Sequence, residues 1–383
     1  MDSTYLTLCQ RASDLLKSHP GYRVLILLAG PPGSGKSTVA RNVADLLNLQ
    51  HRKQLSSIST AACHPPIAQY NSSIANYSTA KITEKLSSNN KDGLPQKKQC
   101  SNSQVQIIGQ APENSITLMV PSLDDNANAS EFAQVVPMDG FHLPRRVLSQ
   151  FKDPVTAFAR RGAPFTFDAP MVAILANLLR STCDVIVSDI CPDPIFTNEG
   201  ISLDPQFHNH DAETSSMTSS SRQSAHSSLF EFDNDQASVE SFDDSDNEED
   251  YNNIWKLRHG RTTMIPDIVI PSFDHAEKDP RANGITIKAA TKVVILEGLY
   301  VLLDLPYWMD ISGDQQHSGV ESWKINLDES SARTRVAKRH LQAGIVDNLQ
   351  DGEARYDAND CINGRLVDRQ SKAADFVVCS KNE

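Results

Sequence analysis

Long hydrophobic runs are missing from this chain of 383 residues. No unbroken one exceeds six residues, as at 24–29, against the roughly 20 that a membrane-spanning helix requires. The opening residues MDSTYLTLCQ have neither a basic leader nor an Arg-rich amphipathic face, so the expected location is soluble, intracellular and cytoplasmic. Cysteine is scarce and poorly placed for pairing. Its seven positions (Cys9, Cys63, Cys100, Cys183, Cys191, Cys361, Cys379) are odd in number, irregularly spaced and contain no C-x-x-C, which argues against a disulfide framework and against a zinc site. An excess of basic charge is absent as well: 36 Lys and Arg stand against 48 Asp and Glu, a net charge of −12. Between 231 and 250 there are ten acidic residues and no basic one, so the remainder sums to about −2. A nucleic-acid partner is disfavoured, because such proteins carry a basic stripe that releases counterions from phosphates. A compact anionic metabolite is not excluded by this balance.

What is present divides unevenly. Residues 50–130 are rich in Ser, Asn, Gln and Lys, with only 105–108 and 116–120 suited to short strands, separate or paired as a hairpin; the stretch is read as a mostly irregular insertion. Residues 200–253 combine a Ser-rich tract with the acidic run, a composition expected to stay disordered because it cannot bury enough apolar surface to offset its ordering entropy. Setting both aside leaves material for one domain spanning 1–383. Short apolar runs at 24–28, 134–137, 268–270, 293–296, 324–327 and 376–378 alternate with helical patterns. That alternation predicts an α/β fold with a mostly parallel sheet covered on both faces, its ligands gathered at the carboxyl ends of the strands.

The strongest motif is Gly30-Pro31-Pro32-Gly33-Ser34-Gly35-Lys36-Ser37, followed by Thr38. It follows an apolar strand and opens a helical run, the context that turns loop amides toward one point at a positive helix end. The glycines let backbone close around phosphate oxygens, Lys36 can reach the β- and γ-phosphates of ATP, and the Ser37 hydroxyl can hold Mg2+. Neither a guanine-reading N-K-x-D nor a transporter-type L-S-G-G-Q occurs, which favours a kinase of small molecules.

Two carboxylates are placed to complete such a site. Asp139 lies just past the strand at 134–137 and is the candidate general base; Glu297 closes the run at 293–296 and is the candidate magnesium ligand. Either taken alone could be a turn residue. His142 and Arg145, shortly beyond Asp139, could touch substrate oxygens or shape the loop. Arg160 and Arg161 could bind an anionic substrate group, though a surface loop explains them equally well. Asp168, with Pro170 after it, reads as a helix cap. The helix predicted over 330–343 carries Arg335 and Arg339 four apart on one face, either a lid over ATP or a solvated basic face.

Five ordered blocks carry a resemblance: P-M-D-G-F-H-L (137–143), R-G-A-P-F-T-F-D (161–168), P-S-F-D-H-A-E-K-D-P (271–280), E-G-L-Y-V-L-L-D (297–304) and R-V-A-K-R-H-L-Q-A-G (335–344). Together they resemble the fungal branch of the superfamily of uridine kinase, phosphoribulokinase and bacterial pantothenate kinase, closest to a fungal ATP-dependent kinase family whose bacterial relatives are described as sugar or fructose kinases. Asn359, Asn363 and the run 374–378 resemble that family's closing segment. The resemblance implies a P-loop NTPase three-layer fold, with Asp139 as base, Glu297 as the acid after the later strand, His275 facing substrate and Arg339 reaching the γ-phosphate. It implies a phosphotransferase using ATP and Mg2+ on a hydroxyl of a sugar, nucleoside or vitamin-like metabolite. One departure stands out: the family's E-G-N-Y reads Glu297-Gly298-Leu299-Tyr300, which removes an amide. A different class of function, a nucleotide-binding scaffold whose acidic insertion docks partners, is the competing reading. It is motivated by Ser241 and Ser245, each with an acid three residues on.

Overall fold

The computed structural model of the chain describes residues 2–59, 97–101, 104–119, 121, 131–185, 257–259, 262–313 and 319–380. The insertion expected over 200–253 lies outside them. In chain order the elements are α1 (Asp2–Ser18), β1 (Val24–Ala29), α2 (Lys36–Ser59), β2 (Lys97–Ser101), β3 (Gln104–Ile108), β4 (Ser115–Met119), β5 (Ala133–Pro137) and α3 (Ala169–Cys183). They continue as β6 (Leu257–His259), β7 (Thr262–Met264), β8 (Asp267–Asp274), β9 (Asp279–Ile287), β10 (Val293–Glu297), β11 (Val320–Asn326), α4 (Glu329–Gln342), α5 (Leu349–Arg355), α6 (Cys361–Gln370) and β12 (Phe376–Cys379).

Five of the strands form one sheet in the order β12-β11-β1-β10-β5, every pair parallel. β1 explains why. All six of its residues are buried, and they alternate between two cores: Val24, Ile26 and Leu28 pack with Leu8 of α1 and Val39 and Val43 of α2, while Leu25, Leu27 and Ala29 pack with Val172 and Leu175 of α3. A strand covered on both faces reads as an unbroken apolar run, and burying a side chain such as Leu or Val this way is worth about 1.5–3 kcal/mol. The three-layer α/β architecture predicted from the sequence is therefore present.

The run at 268–270 does not join this sheet. As part of β8 it belongs to a second, antiparallel sheet in the order β2-β3-β4-β8-β9. The physical reason is the connection: four residues, 275–278, join β8 to β9, and only an antiparallel pair closes over so short a turn. β3 and β4, within the 50–130 stretch, pair antiparallel as the two short strands suggested. Among the described residues no helix is long and apolar enough to cross a membrane.

Register brings the chemistry to one edge. Leu28 of β1 lies opposite Glu297, and Glu297 lies opposite Pro137 of β5. The loop after β1, the end of β10 and the turn after β5 thus emerge side by side at the carboxyl end of the sheet.

Candidate active site

The glycine-rich loop runs from the end of β1 into α2, whose first residue is Lys36. Gly33 and Gly35 adopt left-handed φ angles of +77° and +87°, which a side chain would strain. A Cβ on Gly33 would lie 2.9 Å from Val336 of α4, whereas one on Gly35 would meet nothing within 4 Å, so the loop is open on that side. Among the flanking positions Gly30, Pro31, Pro32 and Ser34 are buried, and Thr38 is exposed in the first turn of α2. Unpaired amides of that first turn point back at the loop, a ready site for phosphate oxygens.

Lys36 Nζ rests 3.4 Å from the carbonyl oxygen of Pro31. Burial lowers its pKa, and the charges of Glu297, Asp139 and Asp360 act in the opposite direction, with Arg339 opposing them. Those four charges therefore lie within electrostatic reach of the ammonium. Ser37 Oγ donates to Glu297 Oε1 at 2.8 Å. Glu297 itself is 7% exposed, and its pKa is raised by burial against the pull of Lys36 and the Ser37 hydroxyl. A hydroxyl at a helix start bonded to a buried carboxylate is a donor set suited to a hard cation with oxygen ligands. Among the described residues no cluster of three or more His, Cys, Asp or Glu could hold a metal without other ligands.

Asp139 sits on a 3-10 turn, Met138–Phe141, with half of its side chain exposed. That turn presses close to β8, where a Cβ on Gly140 would fall 2.2 Å from the carbonyl oxygen of Pro271. His142 closes it: its Nδ1–H donates to the Asp139 carbonyl oxygen at 2.9 Å and lies 4.0 Å from the carboxylate. The ring is wedged between Phe167 at 3.9 Å and Phe273 at 4.7 Å, and burial lowers its pKa, so it is neutral near pH 7. Behind it Phe167, Tyr300 and Trp308 form a packed aromatic group with ring separations of 5.0–5.9 Å. Leu299, at the departure from E-G-N-Y, is partly buried against the larger core.

The remaining predicted residues fall at different distances from this centre. Arg335 of α4 donates through Nη1 to Ser380 Oγ at 2.8 Å and to the Gly33 carbonyl at 3.4 Å, touching the loop directly. Arg339, one turn on, is exposed with its charge felt by Lys36. Arg145 begins a short helix and lies exposed, its guanidinium 5.8 Å from the Phe158 ring. His275 is exposed in the β8–β9 turn, its ring 5.3 Å from that of Phe273. Asp168 is the N-cap of α3: its carboxylate accepts from the Met171 and Gln110 amides.

Three residues given no role from sequence also belong here. Asp360 ends a π-helical segment, Tyr356–Asp360, that joins α5 to α6; its Oδ2 lies 3.9 Å from His340 Nε2. The Tyr300 hydroxyl donates to the Gly162 carbonyl at 2.6 Å. Asn114, fully buried between β3 and β4, donates to the carbonyls of His142 at 3.0 Å and Gly140 at 3.5 Å, bracing the turn that carries Asp139. Tyr300 stood inside a quoted block, but nothing in the sequence marks Asn114 or Asp360.

Comparison with known proteins bears on this arrangement. No model of a known protein family matches the chain. The ATP-dependent kinase YFH7 of Kluyveromyces lactis is 34% identical over 383 residues, covering 96% of this chain and 94% of that protein. ATP-dependent kinase YFH7 of Saccharomyces cerevisiae is 29% identical over 391 residues, covering 94% of each. Its crystal structure, described as a candidate P-loop containing kinase with a circular permutation, superposes with a TM-score of 0.64 at 27% identity over 99% of both chains. A phosphate loop, a flanking helix with arginines and an edge of carboxylates thus occur in a chain whose likeness to these proteins runs nearly end to end, and the chain belongs to the family of ATP-dependent kinases named YFH7.

Proposed function

We propose that the protein transfers the γ-phosphoryl group of ATP to a hydroxyl of a small metabolite, a sugar, nucleoside or vitamin-like compound. The observation that supports this reading is the adjacency, at the carboxyl edge of the sheet, of the phosphate loop, of Glu297 bonded to Ser37 and of the turn that carries Asp139, with the charge of Arg339 within electrostatic reach of Lys36. The N–H groups of the loop 30–38, all but those of Pro31 and Pro32, which have none, hold the phosphates with Lys36, while Arg335, tied to the Gly33 carbonyl, keeps α4 against the loop. Ser37 and Glu297 would hold Mg2+, which when bound supplies neutralisation of charge on the β- and γ-phosphates. Asp139 takes the proton from the acceptor hydroxyl as its oxygen bonds to the γ-phosphorus. The bond to the β-γ bridging oxygen breaks, and ADP leaves. A positioned base of this kind is worth about 10²–10⁴-fold in rate. Arg339 neutralises charge on the phosphoryl group in flight, an effect that reaches about 10³–10⁵-fold for arginines so placed. His142, Arg145 and His275 line the approach of the acceptor; His142, neutral and bonded to the Asp139 backbone, orients the turn as well.

The test is ADP release by purified protein given ATP, magnesium and a panel of hydroxyl metabolites. At least one acceptor should stimulate release, with Lys36→Ala and Asp139→Asn silent. Absence of stimulation across the panel, or an active Asp139→Asn, would overturn the reading.

A further inference from the structure

Arg145, Arg160 and Arg161 all stand on the segments that follow the 138–142 turn, and the sequence alone does not separate them. The structure does. Arg161 is consumed internally: its Nη2 donates to the Leu143 carbonyl and to Asp279 Oδ1, both at 3.1 Å. The same Asp279 oxygen accepts the backbone N–H of Arg145 at 2.8 Å, while the Arg145 guanidinium lies over Phe158. Arg160 is different in kind. Its Nη2 donates to Asn363 Oδ1 at 3.0 Å, a neutral amide, and no carboxylate pairs with it among the described residues, whereas Arg161 has Asp279; the Nε of each lacks a partner.

That neutral partner is itself fixed. Asn363 Nδ2 donates to Asn359 Oδ1 at 3.5 Å, and Asn359 Nδ2 donates to the Arg161 carbonyl at 2.9 Å. The guanidinium is thus held in place by amides without being discharged. Asn363 precedes Gly364, where a Cβ would lie 3.4 Å from Pro32 and 3.6 Å from Pro31, so the guanidinium is tethered beside the phosphate loop. A half-buried cation with only neutral partners is a costly arrangement unless an anion joins it, and the planar fork of arginine suits phosphate and carboxylate oxygens.

We infer that Arg160 is the counter-charge for an anionic group, a phosphate monoester or a carboxylate, carried by the acceptor in addition to the hydroxyl that reacts. This rests on the kinase reading above and narrows its substrate class.

The experiment fills the phosphate loop first, with magnesium and a non-hydrolysable ATP analogue. Inorganic phosphate, acetate and neutral glycerol are then titrated separately at constant ionic strength while thermal unfolding is followed. Phosphate or acetate should raise the Tm and glycerol should not; which anion acts separates the monoester from the carboxylate. Arg160→Gln should weaken the anion response about tenfold or more, the usual worth of a charged hydrogen bond, while keeping the response to nucleotide. No anion response in the unaltered protein, or equal responses in the two proteins, overturns the inference. A second measurement needs no variant: γ-phosphoryl transfer to ribose 5-phosphate and glycerate should exceed transfer to ribose and glycerol, and preference for the neutral partners overturns it too. Transfer to none of the four alongside a normal anion response would instead count against the kinase reading and leave the anion site standing.

Discussion

Glu297 is the residue on which the proposed magnesium site can be tested. It accepts the Ser37 hydroxyl at 2.8 Å, which keeps the two proposed ligands side by side. Glu297→Gln keeps the shape and removes the charge, so the magnesium concentration for half-maximal turnover should rise about 10–100-fold, read from rates against free magnesium. Asp168 offers a prediction about stability. Burial raises its carboxyl pKa to about 6, against the amides of Gln110 and Met171 that favour the charged form. The folded state thus binds this proton more tightly than the unfolded one. The stability this contributes is complete below pH 3.8 and disappears as pH rises through about 6, a difference of roughly 3 kcal/mol. Urea midpoints between pH 4 and pH 7 should show a decline from this group, and Asp168→Asn should flatten it.

Elements matter through what they brace. Between β3 and β4 the fully buried Asn114 supplies donors to the carbonyls of Gly140 and His142, so the chain before β5 helps to fix the turn after it. Asn114→Ala leaves those acceptors unpaired at a cost of about 1–3 kcal/mol. It should lower kcat about tenfold or more, through a displaced Asp139, with nucleotide affinity unchanged; calorimetry with ADP beside steady-state rates separates the two effects. The same contact shows where sequence reading stops. The parallel strands, the phosphate loop, Asp139, Glu297 and the α4 arginines were legible because each announces itself locally, by an apolar run, a glycine spacing or an acid closing a strand. Asn114 and Asp360 were not. Asn114 acts on residues more than 25 positions away, and Asp360 ends a π-helical segment, where the 3.6-residue spacing used to read a helix face from sequence does not hold. The run at 268–270 had the apolar content of a core strand, but its partner was decided by the short turn to β9 rather than by its own residues.

At the scale of the whole molecule, charge and catalysis are kept apart along the chain. Residues 200–253 contain thirteen acidic residues and one basic, so this segment alone accounts for the net charge of −12. No residue of the proposed site falls within it. Deleting 200–253 should leave ATP turnover within about twofold of the full chain while moving the isoelectric point of 5.4 toward neutrality, measured by steady-state kinetics and isoelectric focusing. Loss of turnover would show that the acidic segment contributes to the reaction. The brace at Asn114 has a wider consequence. Because the turn that carries the proposed base takes its position partly from a hairpin outside the proposed site, small changes of sequence around 109–114 would tilt that turn and leave every group of the proposed site unaltered. Tuning from such a distance is like trimming a sail by its sheet instead of recutting the cloth.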